Sequence, residues 1–306
     1  MRLSFCCTDT RAEPWLAGLR AALPEAAVSV WSPGDPVADY AVVWAPPQAF
    51  LDEQAGIRAL FNIGAGVDAL LQQRLPPGAQ VVRLDDAGMS VQMAEYVCHA
   101  VIRHVREFDG YEADSRAGRW SFRRPRLRHD FPVAVLGLGV LGARVAQALR
   151  LFEFPVNGWS RSPRTLDGVT CFHGPQGLHA CLAASRVLVN LLPLTPDTRD
   201  ILNRDTLSRL MPGGYVVNVA RGAHLVDEDL LALLDDGSLA GATLDVFRTE
   251  PLPAGHPFWT HPRIVVTPHT AARTLRDESI AQIAGKIRAL ERGEPVPGVV
   301  DPARGY

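Results

Sequence analysis

The sequence predicts an α/β protein of two doubly wound parallel-sheet domains with a cleft between them. Three observations carry that prediction. Short apolar runs alternate with amphipathic helical stretches along nearly the whole chain, the pattern of strands joined by crossover helices. The strand-like run at 133–136 passes straight into Gly137-x-Gly139-x-x-Gly142, and a helix-forming stretch follows to 151. A strand, a glycine turn and a helix in that order form the dinucleotide fingerprint of a Rossmann-like domain. Third, 306 residues are enough for two domains.

In the first third, strands are expected at 2–6, 27–31, 40–44, 59–63 and 81–84, with helices at 14–23 and 67–73 between them. One long helix is expected from 91 to about 117, containing no proline and only Gly110 as an interior glycine. The stretch 116–130 is polar and arginine-rich, and reads as a solvated or subunit-facing loop. The second block gives strands at 133–136, 156–159, 187–190, 215–219, 242–245 and 264–267, with a helix at 227–235. A last helix, roughly 275–292, has a one-sided stripe of Ile280, Ile283, Ala284, Ile287 and Leu290, and Gly293 and Pro295 end it. The tail from Val299 is expected to return to the first domain, which makes that domain discontinuous. The division expected is 1–96 plus 279–306 against 97–278.

Composition excludes several classes. The chain is 47% hydrophobic and 21% charged, as expected of a globular protein. A net charge of −2 argues against a general nucleic-acid binder. No apolar stretch is long enough for a membrane span, and the first residues read as a strand rather than a signal peptide. Cys6, Cys7, Cys98, Cys171 and Cys181 are odd in number and lack C-x-x-C spacing. Neither a disulfide framework nor a metal site is expected, and a reducing cytoplasm is. Lys286 is the only lysine, so there is no Gly-Lys-Ser/Thr phosphate loop. It lies in the amphipathic last helix and reads as a solvated surface charge.

The candidate chemistry sits at strand ends. Gly137 makes the tight turn, Gly139 admits a pyrophosphate, and Gly142 lets the helix pack on the strand, with Val140 and Leu141 in its first turn. An NAD site usually carries an acid about 20 residues further on, to hold the ribose 2′-hydroxyl. Here that place reads Ser160-Arg161-Ser162-Pro163-Arg164, with no acid before Asp167. Two arginines and two serines suit a 2′-phosphate, so NADPH is the expected cofactor and NADH a weaker one. Arg221 ends the strand at 215–219 and can clamp a carboxylate. Glu250 and His269 follow the next two strands, and a histidine beside a carboxylate is suited to moving a proton near neutral pH.

The glycine turn, Leu191-Leu-Pro-Leu-Thr-Pro-Asp-Thr198, the segment 218–222, Glu250-Pro-Leu252 and Pro268-His269 resemble the D-isomer-specific 2-hydroxyacid dehydrogenases over essentially the whole chain. Tyr40-Ala-Val-Val-Trp44-Ala-Pro-Pro47, Gly64-Ala-Gly-Val-Asp68, Trp159-Ser-Arg-Ser162 and Asp301-Pro-Ala-Arg-Gly-Tyr306 narrow the resemblance to the glyoxylate/hydroxypyruvate reductase A branch. It implies a flavodoxin-like substrate-binding domain and an NAD(P)-binding Rossmann domain, closing on hinges near Val97 and Leu275. Arg221 is then expected to bind the substrate carboxylate, His269 to donate the proton and Glu250 to orient it. Gly64, Ala65, Gly66 and Val67 would hold the carboxylate through their N–H groups, and Trp44 would wall the pocket. Leu192, Pro193, Thr198 and Ala220 would line the cofactor, and Asp245 would hold the nicotinamide carboxamide. A homodimer acting on a small 2-keto acid is implied as well. Two alternatives stay open here: a reductase of bulkier 2-keto acids, and a non-catalytic NAD(P)H-sensing protein of the corepressor type, which keeps the same three residues.

Overall fold

In chain order the elements are β1 (Arg2–Cys7), α1 (Ala12–Ala22), β2 (Ala27–Val30), β3 (Tyr40–Trp44), α2 (Gln48–Glu53), β4 (Ala59–Asn62), α3 (Asp68–Leu71), β5 (Gln80–Arg83), α4 (Met89–Val105), α5 (Phe108–Arg116), β6 (Val133–Leu136), α6 (Val140–Leu151), β7 (Val156–Ser160), β8 (Thr170–His173), α7 (Gly174–Ala183), β9 (Val187–Asn190), α8 (Arg204–Leu207), β10 (Gly214–Asn218), α9 (Asp227–Asp235), β11 (Leu239–Leu244), β12 (Ile264–Val266) and α10 (Arg276–Glu291). The computed structural model describes residues 1–301, 304 and 305; Pro302, Ala303 and Tyr306 of the C-terminal motif lie outside the described residues. Contacts divide the chain into Met1–Met89 with Arg273–Tyr306, and Ser90–Ala272. The chain passes between these units at or just before the N-terminal ends of α4 and α10. Positions 96/97 and 278/279, where the sequence suggests the division, lie inside those two helices.

The first unit holds a parallel sheet of order β2-β1-β3-β4-β5, the flavodoxin-like order, with its switch point between β1 and β3. Its strands β3 and β4 are buried, except for Trp44 at the end of β3, as parallel strands covered on both faces are. Ile280, Ile283, Ala284 and Ile287 of α10 pack with Leu3, Phe5 and Leu19, so the one-sided stripe is the buried face. The tail does return to this sheet: Arg83 N–H donates to Gly298 O (2.9 Å) and Val300 N–H to Val81 O (2.8 Å).

Lys286 corrects a sequence expectation. It is only 5% exposed. Its ammonium pairs with Asp85 Oδ2 at 2.9 Å and donates to Arg83 O at 2.9 Å. Its neighbours in sequence, Ala284 and Ile287, are core, and the end of β5 presents a carbonyl and a carboxylate to it. A charge is tolerated there because both partners are supplied.

The second unit holds the order β12-β11-β10-β9-β6-β7-β8, all parallel. From β6 the chain runs outward through β7 to β8, then crosses back to β9 on the other side of β6, so the ends of β6 and β9 flank a switch point. Valines of β6, β9 and β10 pack with α4 and α6 on one face, and α7 and α9 cover the other. Two expectations change. The helix expected over 91–117 breaks at Glu107, which turns left-handed (φ 54°). The break lets Arg103 at the end of α4 pair with Asp109 and with Glu112 (3.1 Å) of α5. The edge strand β8 escapes sequence analysis because it has four residues, is half-exposed, and has no apolar alternation. Within the arginine-rich stretch, Arg119 and Arg123 bond the buried Asp114 (2.8 and 2.7 Å), and Arg126 pairs with Glu107 (2.9 Å).

His104, in the last turn of α4, stacks on Tyr215 with ring centroids 4.0 Å apart. Burial and the charge of Arg126 push its pKa down to about 4. The unfolded chain therefore takes up a proton near its ordinary pKa of 6.5, while the native ring stays neutral until about pH 4. Stability is full above 6.5 and falls as the pH drops toward 4, by about 3 kcal/mol from this group. Urea titrations at pH 8 and pH 5 should show about 2 kcal/mol of that loss in the wild type, since pH 5 lies part-way down the fall, and less in His104→Phe. Equal losses in both would exclude His104 as the source.

Candidate active site

The glycine turn lies at the switch point of the second sheet. Gly137 adopts φ +96°, and a Cβ there would stand 2.8 Å from Leu191 O at the end of β9. A Cβ on Gly142 would stand 1.8 Å from Gly137 O, so helix and turn touch backbone to backbone. Gly139, the N-cap of α6, is different: a Cβ there would meet nothing within 4 Å. No internal packing demands glycine at that point. The space beside it suits a group from outside, next to the unbonded N–H groups of the helix's first turn. A dinucleotide pyrophosphate fits this cradle. Val140 is exposed and Leu141 half-exposed on the same turn.

Asn190 and Asn218 tie the ends of β9 and β10 together. Asn190 Nδ2 donates to Asn218 Oδ1 (3.0 Å), and both side chains are fully buried. Leu192 N–H then bonds Asn190 Oδ1 (3.2 Å) and Ala220 N–H bonds Asn218 Oδ1 (3.3 Å), which fixes both loops. Thr198 Oγ1 donates to Pro193 O (2.7 Å), so this hydroxyl braces the loop. Leu192 and Ala220 are buried and Pro193 is exposed.

Arg221 leaves β10 half-exposed. A Cβ on Gly222 would stand 1.8 Å from Phe247 C, so the backbone after Arg221 presses on the loop that leads to Glu250. Glu250 Oε2 meets His269 Nδ1 at 2.7 Å, and Phe247 N–H donates to Glu250 Oε1 at 2.9 Å. Burial alone raises the Glu250 carboxyl. The hydrogen bonds from His269 and Phe247, and the charges of His269 and Arg221, outweigh it and hold the carboxyl below its ordinary value. A carboxylate on Nδ1 leaves Nε2 facing outward on a ring that is 46% exposed. The structure thus brings Arg221, Glu250 and His269 together.

His269 lies in the left-handed region at φ 51°, an uncommon conformation for a non-glycine residue. Its N–H donates to Asp245 O at 2.8 Å. The Asp245 carboxylate, 1% exposed, accepts from Thr267 Oγ1 (2.6 Å), Thr270 N–H (2.8 Å) and Ala271 N–H (2.8 Å). Three of its roughly four acceptor sites are thus used by the His269 turn, and one remains open.

In the first unit Trp44 ends β3 beside the switch point and is 38% exposed. A Cβ on Gly64 would stand 2.3 Å from its indole, so the ring lies against the Gly64 backbone. Asn62 Nδ2 holds the carbonyls of Gly64 (2.9 Å) and Gly66 (3.0 Å). Among the described residues the N–H groups of Gly64, Ala65, Gly66 and Val67 donate to no protein group, which leaves a small anion cradle.

At the end of β7, Ser160 Oγ donates to Ser162 O (2.8 Å), while Arg161, Ser162 and Arg164 are exposed. At the first acid after them, Arg150 Nη1 bonds the backbone carbonyl of Asp167 (2.8 Å) and lies 3.4 Å from its exposed carboxylate. Asn62, Asn190, Thr267 and Tyr96 carry no sequence signal that marks them for the site. Each of the two asparagines lies at a strand end and reads as ordinary polarity until its partners are seen.

A histidine held by a carboxylate, with a guanidinium beside it and a dinucleotide turn on the same sheet, is the arrangement of a nicotinamide-dependent oxidoreductase. A family model for the D-isomer specific 2-hydroxyacid dehydrogenase, NAD binding domain, matches residues 98–271. Glyoxylate/hydroxypyruvate reductase A of Serratia proteamaculans (strain 568) is 49% identical over 313 positions, covering 100% of both chains. A D-isomer specific 2-hydroxyacid dehydrogenase from Xanthobacter autotrophicus Py2, solved with NADPH and MES, superposes with TM-score 0.94 at 42% identity, over 100% of this chain and 99% of that one. An NADPH-dependent glyoxylate/hydroxypyruvate reductase from Sinorhizobium meliloti, solved with NADP and sulfate, gives 0.92 at 34% identity, over 100% and 99%. The chain belongs to the D-isomer specific 2-hydroxyacid dehydrogenase family.

Proposed function

We propose that this chain reduces small 2-keto acids, glyoxylate to glycolate and hydroxypyruvate to D-glycerate, with NADPH as the preferred cofactor and NADH a weaker one. The observation that carries the reading is the 2.7 Å contact of His269 with Glu250 beside Arg221, in a chain that aligns end to end with reductases of this specificity. The bound nicotinamide supplies a hydride to the keto carbon. Arg221 holds the substrate carboxylate and polarises the carbonyl. His269 Nε2 gives its proton to the carbonyl oxygen as the alcohol forms, and Glu250 fixes the tautomer and stabilises the protonated ring. The free N–H groups of 64–67 serve carboxylate binding, and the Trp44 indole limits the size of the acid. Leu192, Pro193, Thr198 and Ala220 belong to the cofactor wall, and the remaining acceptor site of Asp245 takes the carboxamide. Arg161, Arg164 and Ser162 hold the 2′-phosphate.

The same reading includes a homodimer in the cytoplasm. Trp120 and Phe122, 104% and 83% exposed on the segment after α5, are the large apolar side chains that a second copy would cover. The five cysteines are free, as in a reducing compartment. Among the described residues no helix is long and apolar enough to cross a membrane.

The decisive assay follows NADPH absorbance with glyoxylate, hydroxypyruvate, pyruvate and phenylpyruvate in parallel, repeated with NADH. Fast oxidation of NADPH by the first two is expected. A phenylpyruvate rate above the glyoxylate rate would favour bulkier acids. Tight NADPH binding with no turnover on any acid would overturn the proposed activity.

A further inference from the structure

One side of His269 is held by Glu250. The other side of its turn is held by a chain of hydroxyls that starts on a different element. Thr267 Oγ1 gives its proton to Asp245 Oδ1 at 2.6 Å. Its oxygen is then left to accept, so Tyr96 Oη, 2.5 Å away, is the donor. Tyr96 projects from α4, and burial pushes its pKa up to about 12, so it keeps this proton through the working range. Asp245 passes the anchorage on: its carboxylate takes the N–H groups of Thr270 and Ala271, and its carbonyl takes that of His269. The turn thus pinned is the one in which His269 is left-handed, a conformation that persists only where surrounding contacts impose it.

We infer that Tyr96 and Thr267 are positioning residues for His269, acting through Asp245 to hold the imidazole where its proton transfer is productive. This rests on the proposed role of His269 as proton donor. Aligned hydrogen bonds strengthen one another, and Asp245 is shielded from water, so loss of the first donor is felt at the end of the chain. A small displacement of a proton donor costs rate rather than binding.

The test compares wild type, His269→Ala, Tyr96→Phe, Thr267→Val and Thr267→Ser in the full chain with NADPH and glyoxylate. Tyr96→Phe and Thr267→Val should each lower kcat about 5–30-fold, with KM and the NADPH dissociation constant changed less than about twofold. The solvent deuterium effect on kcat should rise in both, because proton transfer becomes slower. Thr267→Ser, which keeps the hydroxyl, should restore most of the rate. The double variant Tyr96→Phe/Thr267→Val should be no slower than Thr267→Val. Full turnover in His269→Ala would overturn the reaction reading itself, and this inference with it. If His269→Ala is inactive while Tyr96→Phe keeps the wild-type kcat and isotope effect, this inference alone fails. Should Thr267→Val not fold, Tyr96→Phe decides, since it removes one oxygen and leaves the ring in place.

Discussion

Replacing His269 with alanine should lower the turnover of glyoxylate about 10²–10⁴-fold while NADPH still binds, because a positioned acid contributes a factor of that size. The ring is 46% exposed, and its backbone is fixed by Asp245 O, so truncation removes chemistry without opening a core cavity. Glu250→Gln separates orientation from charge. Glutamine can still accept from Nδ1, but it no longer stabilises the protonated ring, and Glu250 is an anion held below its ordinary pKa in the wild type. The alkaline limb of the kcat/KM profile for reduction should therefore move to lower pH in Glu250→Gln. Stopped-flow turnover and cofactor fluorescence measure both quantities. Unchanged turnover in His269→Ala would remove it from the mechanism; an unmoved limb would reduce Glu250 to a steric prop.

The second large effect is on cofactor choice. Reversing charge at Arg161 and Arg164 together should weaken NADPH binding about 10²-fold and NADH binding less than about threefold. Each charge-assisted hydrogen bond to a phosphate is worth about 1.5–3 kcal/mol, and solvent at these exposed positions takes back part of it. The nearest following acid, Asp167, stands beyond Arg164, and Arg150 lies 3.4 Å from its exposed carboxylate. Dissociation constants from quenching of cofactor fluorescence decide the matter. Equal losses for both cofactors would place the 2′-phosphate elsewhere.

The elements that were legible in the sequence are those with a local cause. The β6–α6 turn needs glycine at 137 and 142 because of contacts within one strand–turn–helix unit, and a motif records such contacts directly. The stripe on α10 and the buried strands follow from periodicity. Arg221, Glu250 and His269 were legible because each stands beside a strand end or a distinctive neighbour, Gly222, Pro251 or Pro268. Lys286 misled for the complementary reason. A lone cation on an amphipathic helix looks solvated, and its carboxylate and carbonyl partners lie some 200 positions earlier, on Asp85 and Arg83. The break at Glu107 was hidden likewise, since no glycine or proline marks it.

By itself, then, the sequence determined the two parallel sheets and the nucleotide turn, and it singled out the three side chains proposed to react, because strand burial, close backbone approach and charge are properties of short segments. Only the tertiary structure decided how these side chains are held. The Asn190–Asn218 tie, the Asn62 brace under 64–67 and the Tyr96–Thr267–Asp245 chain each join residues from different elements. A hydrogen bond between distant segments leaves no periodic trace in either one, so its existence is settled when the sheets assemble and not before.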